Sequence, residues 1–176
     1  VNPVRDDKGW CFGSQESQYF DPINEFKYLM DAYKIMDSTY DMRATVPVLW
    51  DKKTKKIINN ESSDIIIMLN NEFNDHINYK INLYPEKYKK EIDDLNQYMY
   101  ANINNGVYKC GFSTDQLIYE KEIDSLFSAL ENIELRLEGK LYLVGDTLTL
   151  SDIRLFVTLI RFDAVYYNHF KTNYKH

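Results

Sequence analysis

Two adjacent polar residues, Glu61 and Ser62, stand where a polar segment gives way to an apolar helical pattern. A serine hydroxyl and the free amides at a helix N-terminus can hold a carboxylate group. A glutamate beside them offers negative charge to an ammonium group. The pair could therefore bind a zwitterionic amino-acid group. The alternative, a plain helix N-cap, is equally well supported by these residues alone.

A second candidate is the Val46-Pro47 dipeptide, at the start of the β-branched run Val46 to Trp50. A cis bond here would turn the Val46 backbone outward, so that its N–H and C=O could pair with an extended peptide as an added strand does. Cis X-Pro bonds are uncommon and usually serve a purpose. The alternative is an ordinary trans proline at the start of a strand, which position alone favours.

The elements that must hold these residues form a strand, a turn, a strand and a helix. Val46 to Trp50 predicts a strand, residues 51–56 a polar hairpin tip, and Ile57-Ile58 the start of the return strand. Ser62 or Ser63 is expected to cap a helix that runs to about Phe73. Upstream, helical spacing of apolar residues predicts a helix over Asn24 to Met36.

The rest of the chain predicts helices alone. We place a domain over residues 1–74, a linker over 75–85 and an all-helical domain over 86–176. Thr149 to Asp152 fits a capping box, and the helix after it is apolar nearly all round, which predicts burial at the centre of a bundle. Two longer amphipathic faces are expected before it, the first at Ile92, Leu95, Met99, Ile103 and Val107, and the second at Ile123, Leu126, Leu130, Ile133 and Leu137.

Composition excludes several classes of protein. The net charge of -6 and pI of about 5.1 argue against nucleic-acid binding, which favours a basic face. No apolar run is long enough to span a membrane, and no secretory signal is visible. The two cysteines, Cys11 and Cys110, form no CxxC, and His76, His169 and His176 make no metal-ligand spacing with them, so no metal site is expected.

Four sequence blocks together resemble one family. VPVLWDKKT, NNESSDII, NNGVYKCGF and LTLSDIRLFVTLIRFDAVYYNHFK are similar to the glutathionyl-hydroquinone reductases, the Xi class of the glutathione transferases. The resemblance runs from Val1 to about Lys171. It implies an α+β fold of the glutathione transferase type: a partial thioredoxin-like N-terminal domain followed by an all-helical C-terminal domain.

The resemblance also implies roles for particular residues. Val46 and Pro47 would form the family's cis-proline turn and pair with the cysteinyl part of glutathione, and Glu61 and Ser62 would hold its γ-glutamyl end. Trp10 would lie over glutathione, or else close the edge of the core. Further residues are expected around the second pocket. The hydroxyls of Tyr108 and Tyr166 would bond a quinol oxygen, or donate to a developing phenolate-like charge or a leaving thiolate, and Tyr167 is an alternative to Tyr166. Arg161 would hold a substrate oxygen or a glutathione carboxylate, or else form a structural salt bridge with Asp163 or another acid. Arg154 is expected to be structural.

The sequence departs from the family pattern at the catalytic thiol. Family members carry a Cys-Pro-Trp-Ala type motif on the first strand-helix turn, and these residues contain none. Neither Cys11 nor Cys110 matches that position. We expect the chain to be an interior part of a longer protein. The N-terminal strand-helix unit and the C-terminal extension of the family are expected to be missing from these 176 residues. On its own we expect it to be weak or inactive as a reductase.

Three functions therefore stay open at this point. The first is glutathione-dependent reduction of glutathionyl-hydroquinones by thiol transfer. The second is conjugation of glutathione to an electrophile, and the third is a non-catalytic interaction module of the same fold. The resemblance implies glutathione and an aromatic quinone or hydroquinone as ligands, a homodimer, and a cytoplasmic location without membrane or nucleic-acid partners.

Overall fold

The computed structural model describes residues 1–78 and 81–174. Tyr79 and Lys80, within the predicted linker 75–85, lie outside the described residues, as do Lys175 and His176 at the end of the predicted helical domain. The chain divides into two compact units, Val1–His76 and Ile77–His176. They are called the N-terminal and the C-terminal unit below.

The N-terminal unit combines two strands with two helices. Its elements are α1 (Leu29–Met36), β1 (Leu49–Asp51), β2 (Lys56–Asn59), α2 (Ser62–Asn71) and a 3₁₀ turn, Asn74–His76. The strands are antiparallel, with Trp50 opposite Ile57. Leu29, Tyr33 and Ala44 form the buried core, and the partly buried residues packed against it are Trp10, Phe12, Met30, Tyr40, Val48 and Ile57. The predicted strand-turn-strand-helix order is confirmed.

The element boundaries in this unit differ from the prediction. The first helix begins at Leu29 instead of Asn24, because the Asp21 carboxylate accepts hydrogen bonds from the backbone N–H groups of Ile23, Asn24 and Phe26 and holds this segment in a turn. The first strand begins at Leu49 instead of Val46. The hydrogen bonds to the Asp21 side chain, and not the apolar periodicity, therefore decide where the first helix begins.

The C-terminal unit is helical. A 3₁₀ turn, Glu86–Tyr88, leads into α3 (Lys89–Met99), a π-helical segment (Tyr100–Asn104) and α4 (Gly106–Phe112). Next come α5 (Gln116–Leu137), α6 (Leu150–Leu159), a second π-helical segment (Phe162–Tyr166) and α7 (Tyr167–His169). No helix in the described part of the chain has the length and apolar character needed to cross a membrane. The two predicted apolar faces are buried or half-buried throughout.

The predicted capping box at the start of α6 is present, and its carboxylate does more than cap the helix. Asp152 accepts hydrogen bonds from the Thr149 N–H at 2.8 Å and from the Thr149 hydroxyl at 2.9 Å. Its second oxygen accepts from the Leu143 N–H at 2.8 Å. Thr149 and Leu143 are both buried. One side chain therefore satisfies three donors that water does not reach and ties the preceding loop to the helix.

The expectation that α6 is buried all round is wrong. Its buried residues are Leu150, Ser151, Leu155 and Thr158, whereas Phe156 is 58% exposed and Ile160 after the helix is 61% exposed. Apolar composition tells how many faces of a helix favour burial. It does not tell how many neighbouring elements within this chain are available to cover them.

A glycine on α4 lets an aromatic ring pack directly against the helix backbone. A Cβ atom added to Gly111 would lie 1.8 Å from Cδ1 of Phe170. The ring of Phe170 therefore rests directly on the backbone of α4. It also makes edge-to-face contacts with Tyr108, Phe112 and Tyr166, at centroid distances of 5.2, 5.4 and 5.5 Å.

Substitution of the capping carboxylate tests its role in the C-terminal unit. We expect Asp152→Ala to lower the free energy of unfolding by about 2–4 kcal/mol, because three buried donors lose a charged acceptor. The control is Asp115→Ala, which removes an exposed N-cap of α5 with one bond to the Ile118 N–H and should cost about 1 kcal/mol. Urea denaturation followed by circular dichroism measures both. Equal losses would contradict the account.

Filling the space above Gly111 tests the packing of Phe170. We expect Gly111→Ala to destabilise the protein by about 1–3 kcal/mol despite alanine's better helix propensity, since the ring must move. Gly106→Ala is the control, because its Cβ would meet Leu126 Cδ1 at an ordinary 3.6 Å. Thermal melts and near-ultraviolet circular dichroism of the aromatic residues would show the difference. A Gly111→Ala protein as stable as the Gly106→Ala protein would refute the packing argument.

Candidate functional site

The Val46-Pro47 peptide bond is cis, as the sequence context predicts. Val46 is 45% exposed and lies before β1. In the part of the chain that the structure describes, neither its N–H nor its C=O has a hydrogen-bond partner. Because both peptide groups are unpaired at an exposed turn, they are available to an extended peptide ligand.

Glu61 and Ser62 occupy the start of α2, but their roles differ from the expected ones. The N-cap is Glu61, whose carboxylate accepts from the N–H of Ser63 at 3.4 Å. The expectation that Ser62 or Ser63 caps the helix is therefore wrong: the longer glutamate side chain folds back over the first turn. Ser62 is the first helical residue and is exposed. Among the described residues its hydroxyl and N–H have no partner, which leaves both free to meet a carboxylate.

Three polar residues that sequence reasoning missed connect these two places. The Tyr33 hydroxyl donates to the Thr45 carbonyl at 3.0 Å. The Asn60 amide donates to the Tyr33 hydroxyl at 3.1 Å and to the Thr45 hydroxyl at 3.2 Å. Thr45 directly precedes Val46, and Asn60 directly precedes Glu61. The network therefore fixes the cis-proline turn relative to the start of α2; the only signal in the sequence was the position of Thr45 and Asn60 beside the two motifs.

Trp10 is placed by the core of the N-terminal unit. Its carbonyl accepts from the Leu29 N–H at 2.8 Å, and its ring packs partly buried against Leu29, Tyr33 and Ala44. The guanidinium of Arg5 lies 5.4 Å from the ring centroid. These contacts fit the alternative in which Trp10 closes the edge of the core, and they leave its role toward a ligand a prediction.

Within the C-terminal unit, the structure brings Tyr108 and Tyr166 together. Their hydroxyl oxygens are 3.3 Å apart, and their rings meet edge to face at 5.7 Å. Tyr108 is 40% exposed, whereas Tyr166 is 5% exposed. Tyr108 is therefore the more exposed residue of the pair, while Tyr166 is held inside the aromatic cluster with Phe112 and Phe170.

The environment keeps the buried hydroxyl of this pair protonated. Burial, together with the hydrogen bond to Tyr108, raises the pKa of Tyr166 to about 12, and the positive charge of Arg161 partly opposes this rise. Arg161 donates to the Val157 carbonyl. In the described part of the chain it forms no ion pair with Asp163 or another acid, and its role toward a ligand stays a prediction. At neutral pH the tyrosine pair can donate a hydrogen bond to an oxygen that carries negative charge.

The surroundings of the two cysteines differ, and those of Cys110 oppose a nucleophilic role. Burial and the negative charge of Glu122 raise the pKa of the Cys110 thiol to about 11, so it stays a thiol at neutral pH. Cys11 is half-buried, and its thiol lies 3.8 Å from the Val4 carbonyl. Among the described residues no group of three or more His, Cys, Asp or Glu side chains is arranged to hold a metal ion.

Comparison with known sequences agrees with this geometry. Residues 116–175 match the family model described as the C-terminal domain of glutathione S-transferase. The glutathionyl-hydroquinone reductase PcpF of Sphingobium chlorophenolicum is 46% identical over 173 residues, covering 98% of this chain and 55% of the relative. The glutathionyl-hydroquinone reductase YqjG of Escherichia coli is 43% identical over 173 residues, covering 97% and 52%. The chain thus spans about half the length of the curated relatives it matches.

Solved structures agree in fold. The glutathione-bound structure of YqjG from Escherichia coli superimposes with a TM-score of 0.93 at 41% identity, covering 99% of this chain and 57% of that one. Glutathione transferase Xi 1 from Trametes versicolor superimposes with a TM-score of 0.92 at 47% identity, covering 99% and 62%. The α+β architecture is therefore the glutathione transferase fold, residues 116–175 form a glutathione S-transferase C-terminal domain, and the relatives of this chain belong to the Xi class.

Proposed function

We propose that this protein is a glutathione-dependent oxidoreductase that reduces glutathionyl-hydroquinones by thiol transfer. The proposal rests on two sets of polar groups in the N-terminal unit that have no partner among the described residues. These are the N–H and C=O of Val46 and the hydroxyl and N–H of Ser62. The hydrogen-bond network of Tyr33, Thr45 and Asn60 holds the two sets in a fixed arrangement. Relatives of this chain are named glutathionyl-hydroquinone reductases.

Glutathione fits these two places by its chemistry. Its cysteinyl peptide group offers a donor and an acceptor to the N–H and C=O of Val46, beside Pro47. Its γ-glutamyl end carries an α-carboxylate that suits the Ser62 hydroxyl and the N-terminus of α2. The same end carries an ammonium group that suits the Glu61 carboxylate. Trp10 and Arg161 are further proposed contacts.

The tyrosine pair fits the second substrate. A hydroquinone carries phenolic oxygens that accept and donate hydrogen bonds, and the partly exposed Tyr108 shares a hydroxyl–hydroxyl contact with the buried Tyr166. The raised pKa of Tyr166 keeps a proton on the pair when a phenolate-like charge develops on the leaving ring. The tyrosine pair would stabilise that charge and would not attack the substrate.

The proposed reaction consists of two successive thiolate attacks. A thiolate attacks the sulfur of the glutathionyl-hydroquinone; the bond from that sulfur to the ring carbon breaks, and the ring carbon takes up a proton. The hydroquinone leaves, and a mixed disulfide with glutathione remains. A second glutathione thiolate attacks this disulfide, which releases oxidised glutathione and restores the thiolate. Neither Cys11 nor Cys110 is assigned to the attacking thiolate.

A second candidate function is a non-catalytic interaction module of the same fold. The observation in its favour is that the better buried of the two cysteines, Cys110, is kept unreactive by its surroundings. A conjugating transferase, which activates glutathione itself, is the remaining alternative. We further propose a homodimer and a cytoplasmic location; the two free cysteines suit a reducing compartment.

Calorimetric titration of the chain with glutathione tests the binding site. We expect Ser62→Ala to weaken binding roughly tenfold or more, because a hydrogen bond to a charged carboxylate is lost. Glu61→Gln should also weaken it, while its amide oxygen still accepts from Ser63. Asp37→Asn is the control, since it makes the same charge change at a loop carboxylate bonded to Thr39. Binding that all three variants retain, or no binding by the unaltered chain, would contradict the site.

The assignment of the thiolate is tested by turnover. With a glutathionyl-hydroquinone and glutathione, we expect these 176 residues to be slower than YqjG of Escherichia coli by roughly a thousandfold or more, because they contain no Cys-Pro-Trp-Ala type motif and Cys110 stays a thiol. Cys11→Ala should leave any residual rate unchanged. A rate comparable to that of YqjG, or one abolished by Cys11→Ala, would refute the assignment. Efficient conjugation of a chloro-dinitro-arene would favour the conjugating transferase instead.

A further inference from the structure

The side chain of Asn104 joins the segment that carries Tyr108 to the helix that leads to Tyr166. Its Nδ2 group donates to the Arg154 carbonyl at 2.9 Å and to the Thr158 hydroxyl at 2.7 Å. Asn104 ends the first π-helical segment, one turn before Tyr108. Arg154 and Thr158 lie on α6. The second π-helical segment follows shortly after this helix, and Tyr166 is its last residue.

A widened helical turn places Asn104 where it can reach α6. The Asn105 N–H donates to the Tyr100 carbonyl at 2.9 Å, which is a bond across five residues instead of four. The extra residue in this turn changes which side chains face inward. Ile103 and Val107 keep their buried positions, and Asn104 beside them is half-buried with its amide turned to α6. Such widened turns occur frequently at functional sites.

Chemistry fixes the direction of the Asn104 amide. A main-chain carbonyl oxygen can only accept, so the NH₂ group must face Arg154. The opposite atom, Oδ1, is buried and has no partner among the described residues. Burying an acceptor without a donor is costly. The two bonds that the Nδ2 group donates to α6 offset part of that cost.

We propose that Asn104 is a positioning residue that sets the distance between the hydroxyls of Tyr108 and Tyr166. The inference rests on the proposed function, in which this pair holds a hydroquinone oxygen. The two hydroxyl oxygens are 3.3 Å apart, already at the long end for such a bond, so a slip of about 1 Å between the two segments would break it. Asn104 supplies the polar contact that prevents this slip.

Two substitutions remove the contact in different ways. Asn104→Ala deletes both donors. Asn104→Asp keeps the size of the side chain but sets a carboxylate against the Arg154 carbonyl. The matched control is Asn102→Ala, because Asn102 donates to the Tyr98 carbonyl within the same helical stretch and makes no bond to α6. Ile92→Val, a buried change on α3, controls for a general loss of stability.

The first readout is the tyrosine pair itself, without any ligand. Nuclear magnetic resonance of the chain with ¹³Cζ-labelled tyrosine reports the pKa of Tyr166, and nuclear Overhauser effects report the contact between the two rings. We expect both Asn104 variants to lower the pKa of Tyr166 below about 12, because its bond with Tyr108 weakens, and to lose the contact. Asn102→Ala and Ile92→Val should change neither. Unchanged values in the Asn104 variants, or equal changes in Ile92→Val, would overturn the proposal.

The second readout separates this inference from the proposed function. Binding of hydroquinone to the unaltered chain should weaken roughly tenfold in both Asn104 variants, as expected when one hydrogen bond is lost. If the unaltered chain does not bind hydroquinone but the tyrosine readout changes as expected, the positioning role stands and the proposed substrate fails. If hydroquinone binds equally well to all variants, Asn104 does not position the pair for this ligand.

Discussion

The hydrogen bonds that the Asp152 carboxylate accepts fix the start of α6 in the C-terminal unit. The carboxylate takes three buried donors, from Thr149 and Leu143, and so allows α6 to begin inside the protein with its first turn satisfied. A helix that begins at a fixed point in a fixed direction can present Thr158 to Asn104, and eight residues later it can place Tyr166 beside Tyr108. The half-buried carboxylate at the start of α6 thus helps to fix the helix that leads to the aromatic cluster.

Both tyrosines of this cluster lie at or next to interruptions of regular helix. Tyr108 follows the π-helical segment Tyr100–Asn104, and Tyr166 ends the segment Phe162–Tyr166. A widened turn weakens the backbone hydrogen bonding of a helix, and it persists where surrounding contacts fix it. Here the Asn104 amide and the ring of Phe170, resting on Gly111, supply those contacts. The N-terminal unit uses the same strategy at its cis-proline turn, where the Tyr33-Thr45-Asn60 network holds an irregular backbone in place.

Much of this could be read from the sequence, and the failures have physical causes. The capping box, the cis bond at Pro47, the buried faces of α3 and α5 and the fold class were predicted correctly, because each depends on residues close together in the chain or on a family motif. The N-cap of α2, the start of α1 and the exposure of Phe156 were not, because they depend on which side chain reaches a backbone group or on how many neighbours surround a helix. Asn104 and Tyr33 escaped notice since their partners lie 50 and 12 residues away, and no local pattern marks such pairs.

We propose that the cis-proline turn, with its unpaired backbone groups at Val46, and the start of α2 form a single binding site for glutathione. The most direct measurement is a titration of ¹⁵N-labelled chain with glutathione, followed amide by amide by nuclear magnetic resonance. We expect saturable shifts at the amides of Val46, Ser62 and Ser63, with smaller ones at Thr45 and Asn60. Shifts confined to the C-terminal unit, or none at millimolar glutathione, would contradict it.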